Sequence, residues 1–299
     1  IMFSGQVVKV KYIKQLEQHF IDTCGVKYAI ACASCTSGLI AVVEAVQKLY
    51  GILRIGLPLF TWYSTWYAVT KNDVMGVCWE IDKDTWLMRM TEGGLEDVDS
   101  AIFVDTFGNM APKLDTDKPI IYDAAHGYGL SQLGKRGIAE VVSFSHTKLV
   151  TGTQGGVVLT DNDEVYDIVQ DLVDKYFKME ELNALICLES IIEYKHTQLI
   201  RREIIDHYLS SISHKIKVQK ETETNNSVFG ILFETTELRN KVRNKLENNN
   251  VGTKVYYTPV FNAPMFKTTF DIYNRILCLP VYPQMINDVD YIVNLINEV

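Results

Sequence analysis

Seven short runs rich in Val, Ile, Phe or Tyr recur through the first half of this chain, and several are continuously apolar. They lie at Tyr28–Ala33, Arg54–Leu57, Met75–Ile81, Ala101–Val104, Pro119–Tyr122, Val141–Phe144 and Gly155–Thr160. A strand that is apolar throughout needs cover on both faces, which a mostly parallel sheet between helices provides. Helical patterns fall between the runs, at Lys11–Thr23, Ser37–Leu49 and Thr65–Lys71. The alternation predicts an α/β fold.

From about Asp161 the pattern changes. Glu180 to about Ser213 carries apolar residues at helical spacing without Pro, which predicts one long or broken helix. Val228–Phe233, Val255–Val260 and Ile276–Leu279 read as short strands, Glu237–Asn248 as a charged helix and Ile286–Ile296 as a closing helix. The expected organisation is a large α/β domain over 1–165, then a long helix and small α+β domain over 166–299. No internal repeat or low-complexity linker interrupts it.

Composition narrows the function classes. The 299 residues are 47% hydrophobic and 22% charged, enough for one large core and one small one. Lys+Arg number 29 and Asp+Glu 37, a net charge of -8 without long basic runs, which argues against sequence-independent nucleic-acid binding. A locally positive phosphate site is compatible with that total. The six cysteines (24, 32, 35, 78, 187 and 278) sit in apolar or strand-like segments and are expected to be reduced, buried thiols. The first residues show no apolar signal-peptide core, and every apolar run is too short for a membrane span, so the cytoplasm is the expected compartment.

Four segments follow predicted strand ends, where ligands of open α/β sheets collect. In Ser34-Cys35-Thr36-Ser37-Gly38, small residues and a helix N-terminus suit a phosphate, although a plain helix cap reads equally well. Cys32 and Cys35 form a C-x-x-C, but no second Cys/His pair at ligand spacing supports zinc. Trp62, in a dense aromatic stretch, is either core or a face on which a planar ring stacks. Asp123 follows a buried strand and needs a partner, either a helix N-terminus or a protonated heteroaromatic nitrogen. His126, three residues on, reads by itself as a core histidine. Lys148 lies between a buried strand and the Gly-rich turn at 152–156. A surface lysine is one reading; a desolvated amine that attacks carbonyls is the other. Ser143 stands five residues before it.

Taken together, these segments resemble the DegT/DnrJ/EryC1/StrS family of sugar aminotransferases. The motifs are Asp123-Ala-Ala-His126, Ser143-Phe-Ser-His-Thr-Lys148, the Thr61-Trp62 segment, Gly155-Gly156 and the ending Arg275 to Pro283. The resemblance implies a fold-type I large domain with a mostly parallel seven-stranded sheet and pyridoxal 5'-phosphate as cofactor. It implies that Lys148 holds the cofactor as a Schiff base and that Asp123 pairs with the pyridine nitrogen. Trp62 is then expected to stack on the ring, and His126 to lie near the ring or its phenolic oxygen. Ser34, Cys35, Thr36 and Ser143 are expected to hold the phosphate. The implied reaction transfers an amino group, from L-glutamate, to a nucleotide-linked 4-keto-6-deoxy sugar within a homodimer. Another reaction of the same cofactor, such as sugar dehydration, and a non-catalytic cofactor- or sugar-binding sensor stay open. The family's dehydrating relative has histidine in place of this lysine, so Lys148 favours transamination.

Some positions depart from the family pattern. Cys35 stands where Gly or Ala is usual in the phosphate loop. Tyr176-Phe177-Lys178-Met179 keeps the Met of an Asn-x-Arg-Met motif without its Asn and Arg, and Phe261 stands where a histidine near the sugar is usual. The segment before the first helix is short. Apart from Cys35, the departures fall on the substrate and dimer side, so cofactor binding is more firmly implied than the substrate.

Overall fold

The computed structural model of the chain describes residues 11–90 and 94–299, so the segment before the first helix lies outside the described residues. One sheet contains β1 (Tyr28–Cys32), β2 (Arg54–Pro58), β3 (Met75–Trp79), β4 (Ser100–Val104), β5 (Ile120–Ala124), β6 (Ala139–Ser143) and β7 (Gly156–Thr160). Their order is β1-β7-β6-β5-β4-β2-β3. β7 runs antiparallel to β1 and β6, and all other neighbours pair in parallel. Every residue of β4 to β7 is buried, as the apolar runs required.

Helices α1 (Lys11–Cys24), α2 (Cys35–Tyr50) and α3 (Tyr63–Lys71) stand where helical spacing predicted them. The start of α2 is set by a reciprocal cap: Ser37 N–H donates to Ser34 Oγ at 3.1 Å and Ser34 N–H to Ser37 Oγ at 3.0 Å. Its first turn lies close on the sheet, because a Cβ at Gly38 would come within 2.8 Å of Val141 Cγ1. Another helix, α4 (Asp163–Tyr176), was not anticipated from the sequence. Its signals were present: Asn162 caps it by accepting from Val165 N–H at 2.8 Å, Asp163 and Glu164 open it, and Lys175 lies in its last turn. Val165, Val169, Leu172 and Val173 pack it into the core that contains α2 and β1.

The long helix is continuous, α5 (Glu181–Ser211). Near its start, Ala184 and Cys187 pack with Leu16 and Phe20 of α1; towards its end, Ile204, Ile205 and Tyr208 enter the C-terminal core. The chain beyond α5 forms β8 (Lys217–Val218), β9 (Phe229–Leu232), α6 (Thr236–Asn248), α7 (Lys267–Arg275), β10 (Ile276–Leu279) and α8 (Val289–Asn297), with an antiparallel order β10-β9-β8. The expected strand at Val255–Val260 does not form: only Lys254 bridges to Cys278. Tyr257 instead turns its ring against Phe60 and Phe107, both at 5.3 Å between centroids, and the burial of that ring draws the backbone off the sheet edge. The expected closing helix divides into a 3-10 turn at Pro283–Asp288 and α8.

All six thiols are free; Cys32, Cys35, Cys187 and Cys278 are buried, while Cys24 and Cys78 are half-buried. No helix among the described residues is long and apolar enough to cross a membrane.

Candidate active site

The carboxyl ends of β1, β5 and β6 and the start of β7 meet at one edge of the sheet, with Gly156 in register with both Cys32 and Ser143. A cavity of about 460 Å³ opens there. Its lining includes all eight residues singled out in the sequence: Ser34, Cys35, Thr36, Trp62, Asp123, His126, Ser143 and Lys148.

Asp123 closes the cavity floor from β5, between Val104 of β4 and Val141 of β6. Its Oδ2 accepts from Thr65 Oγ1 at 2.6 Å and its Oδ1 from Ala125 N–H at 3.1 Å. Burial pushes this carboxyl above its usual range, against the pull of Thr65, Ala125 and Lys148. No Lys, Arg or His among the described residues forms an ion pair with it. A buried carboxylate without an ion-pair partner among the described residues offers the acceptor that a cationic N–H requires.

Lys148 reaches the same cavity from the turn after β6, where its N–H donates to Ser145 O at 2.9 Å. The Gly-rich turn behind it is anchored by Asn183 of α5, whose amide donates to Gly152 O at 2.7 Å and Thr153 Oγ1 at 2.9 Å. Desolvation lowers the Lys148 amine to about 8, against the pull of Cys35 and Asp123. Lys148 Nζ lies 2.7 Å from His126 Nε2, and His126 Nδ1 lies 2.7 Å from Ser227 Oγ. Burial, with Lys148 and Arg201 nearby, holds the imidazole well below its usual range, so it is neutral at physiological pH.

The other end of the cavity suits an anion. Ser37 N–H is capped and Gly38 N–H reaches Ser34 O, which leaves the N–H groups of Cys35 and Thr36 without intrahelical acceptors. The hydroxyls of Thr36, Ser64 and Ser143 also line this space, and Thr36 Oγ1 donates to Ser64 Oγ at 2.8 Å. The Ser34 hydroxyl serves the cap. Cys35, the departure from the family loop, turns its thiol inward to Val141 O at 3.7 Å and Asp123 Oδ1 at 3.9 Å. Trp62 is 59% exposed at the cavity mouth, edge-on to Tyr256 at 6.2 Å, where its face is open to a planar ring.

The remaining departures have defined places. Lys178 pairs its backbone with Cys32, and Ala33 N–H donates to Phe177 O at 2.8 Å, so this segment runs beside the phosphate-type loop. Phe261 packs edge-on against Trp66 at 5.0 Å and does not line the cavity. Sequence reading missed Thr65, Ser227, Lys254, Tyr256 and Tyr257. Thr65 had a weak signal in the Thr-Trp segment; the other four come from beyond α5 and carry no motif.

The cavity therefore fits pyridoxal phosphate at three points: a reactive amine, a carboxylate for a ring N–H, and a helix N-terminus for the phosphate. The family model for the DegT/DnrJ/EryC1/StrS aminotransferase family matches residues 1–297. GDP-perosamine synthase of Escherichia coli O157:H7 is 25% identical over 97% of this chain and 90% of its own length. dTDP-4-amino-4,6-dideoxy-D-glucose transaminase of Shigella dysenteriae is 25% identical over 96% of this chain and 89% of its own. The aminotransferase PseC of Helicobacter pylori, involved in pseudoaminic acid biosynthesis, superposes with a TM-score of 0.87 at 16% identity, over 100% of this chain and 93% of its own. The architecture is that of the fold-type I pyridoxal-phosphate aminotransferases.

Proposed function

This chain belongs to the DegT/DnrJ/EryC1/StrS aminotransferase family, and from that premise we propose that it moves an amino group from L-glutamate to the keto group of a nucleotide-linked 4-keto-6-deoxy sugar. Pyridoxal 5'-phosphate is its cofactor. The observation that carries the reading is the convergence of Lys148 and Asp123 on one cavity, beside the free N–H groups that begin α2. The substrate class is supported by the curated relatives, which are named as enzymes of GDP- and dTDP-linked amino sugars.

When bound, pyridoxal phosphate supplies an aldehyde that captures amines and a cationic ring that withdraws electrons. The chain supplies the rest. Lys148 Nζ, deprotonated above about pH 8, is the nucleophile and afterwards the carrier of the proton at the substrate carbon. Asp123, oriented by Thr65 and Ala125, keeps a proton on the ring nitrogen. Cys35 and Thr36 N–H groups, with the Thr36 and Ser143 hydroxyls, hold the phosphate; Ser34 sets the loop that presents them. Trp62, exposed at the cavity mouth, would cover the ring, and His126 stands beside Lys148. Tyr63 and Tyr176, exposed at 59% and 71%, fit a homodimer in which a second copy covers the apolar rim near the site. The compartment that suits this substrate is the cytoplasm.

The purified protein loaded with pyridoxal phosphate is expected to show a visible absorption band that Lys148→Ala lacks. Glutamate is expected to convert the band to the pyridoxamine form with one equivalent of 2-oxoglutarate. Absence of any band at saturating cofactor sinks the reading; a band that ignores glutamate points to other chemistry of the same cofactor.

A further inference from the structure

We propose that Ser227 is a positioning residue for Lys148: its hydroxyl decides which nitrogen of His126 carries the proton, and so governs how readily Lys148 releases its own. The proposal rests on the reading of Lys148 as the reactive amine.

Three groups stand in a row, with Ser227 Oγ 2.7 Å from His126 Nδ1 and His126 Nε2 2.7 Å from Lys148 Nζ. The serine and the histidine of the row are both clamped. Arg201 Nη2 donates to the carbonyls of Asn226 at 2.7 Å and Ser227 at 2.8 Å, which fixes the backbone just before β9. Asn225 Oδ1 accepts from Ser227 N–H at 3.0 Å, while Asn225 Nδ2 donates to His126 O at 2.5 Å and Tyr128 O at 2.9 Å. One side chain thus ties the serine to the histidine it serves. Ser227 is 6% exposed and Arg201 9%, so solvent does not supply a substitute partner freely.

A neutral imidazole has one N–H and one acceptor nitrogen. Facing an ammonium at Lys148, Nε2 must accept, and Nδ1–H must donate to Ser227. Facing a neutral amine, Nε2–H can donate to the nitrogen lone pair, and Nδ1 must then accept from the serine O–H. A hydroxyl meets both demands by rotating, with no heavy atom displaced. Lys148 can therefore change protonation without leaving a buried partner unsatisfied. Burial first, and then the charges facing the row, keep the imidazole neutral, so that the tautomer and not the charge changes. Arg201 and Lys148 both disfavour imidazolium, and Tyr257, protonated in its buried place, lies 3.4 Å from Nε2. Cys35 and Asp123 face Lys148 from α2 and β5 and act on the amine directly.

The test is the titration of Lys148 in cofactor-free protein, followed by acetic anhydride labelling of its peptide across pH and read by mass spectrometry. In Ser227→Ala, Nδ1 meets a methyl group. A buried orphan N–H costs more than a bare lone pair, so the proton settles on Nε2, which then opposes an ammonium. The Lys148 midpoint is expected to fall by about half to one pH unit. Ser227→Thr, which keeps the hydroxyl, is expected to restore the wild-type midpoint. In a His126→Leu background, Ser227→Ala is expected to shift nothing further. An unchanged midpoint in Ser227→Ala, or the same shift with and without His126, overturns the proposal. Because no cofactor is present, that failure is separate from the absence of a visible band, which alone removes the aminotransferase reading.

Discussion

Thr65 Oγ1 donates to Asp123 Oδ2 at 2.6 Å, joining α3 to β5 across 58 residues of chain. The bond favours the ionised carboxyl against its burial, and an ionised carboxyl is what a ring N–H requires. In Thr65→Val, Asp123 is expected to rise further, and transamination at pH 7 to fall about 10-fold or more, as for a lost bond to a charged group. Because a raised carboxyl ionises as pH rises, activity should recover towards pH 9, whereas Thr65→Ser should stay close to wild type. A loss equal at all pH values would show that Thr65 acts on something other than Asp123.

Lys148 titrates at about 8 in the folded chain. Capture of added pyridoxal phosphate should quicken about tenfold per pH unit below that value and level off above it, since only the free amine attacks. Stopped-flow absorbance reads this directly; a rate still climbing at pH 10 would mark an unperturbed lysine.

The same depression has a sign for stability. A lysine whose folded value lies below its ordinary 10.5 destabilises the fold below pH 8, and that cost fades as pH approaches 10.5. Lys148→Met should therefore stabilise the cofactor-free protein at pH 7, on the order of 1–2 kcal/mol after allowance for its partial exposure. The gap in urea midpoints should close near pH 10.

Gly156 opens β7 directly beneath the phosphate-type loop. A Cβ there would lie 2.7 Å from Cys35 N and 2.9 Å from Ser34 C, backbone atoms that cannot swing aside. Gly156→Ala should push back the start of α2, weakening pyridoxal-phosphate affinity about 10-fold or more while costing about 1–3 kcal/mol of stability. Fluorescence titration and denaturant unfolding separate the two effects.

Arg136 is fully buried between Asp105, with Nη1 2.6 Å from Oδ1, and Glu140, with Nη2 2.5 Å from Oε2. Arg136→Met leaves two buried carboxylates without their cation, expected to cost about 3–5 kcal/mol. Glu140, which burial already raises, loses the pull of Arg136 and should rise further in the folded state, so the deficit should shrink in mild acid and grow as pH rises. Thermal unfolding between pH 5 and 8 checks the slope.

The legible parts of this protein are local ones. The central strands β4 to β7 are legible because burial on both faces demands apolar runs, and Asp123, Ser143 and Lys148 are legible because they lie at or just beyond the ends of such strands. The helix α4 was overlooked although Asn162, Asp163 and Lys175 mark its ends. Val255–Val260 reads as a short strand in the sequence; no local pattern could state that Tyr257 packs on Phe60 and Phe107.

By itself, the sequence determined the α/β fold and the family, and it marked the positions proposed to hold pyridoxal phosphate, since periodicity and short motifs are properties of neighbouring residues. Only the tertiary structure decided how those groups are held. It turned the Cys35 thiol away from the loop, set Thr65 on Asp123, and brought Ser227 to His126 across 101 residues of chain. Contacts of that kind depend on how α2, α3 and β9 pack on one sheet edge, and a close approach between distant segments leaves no spacing in the chain to read.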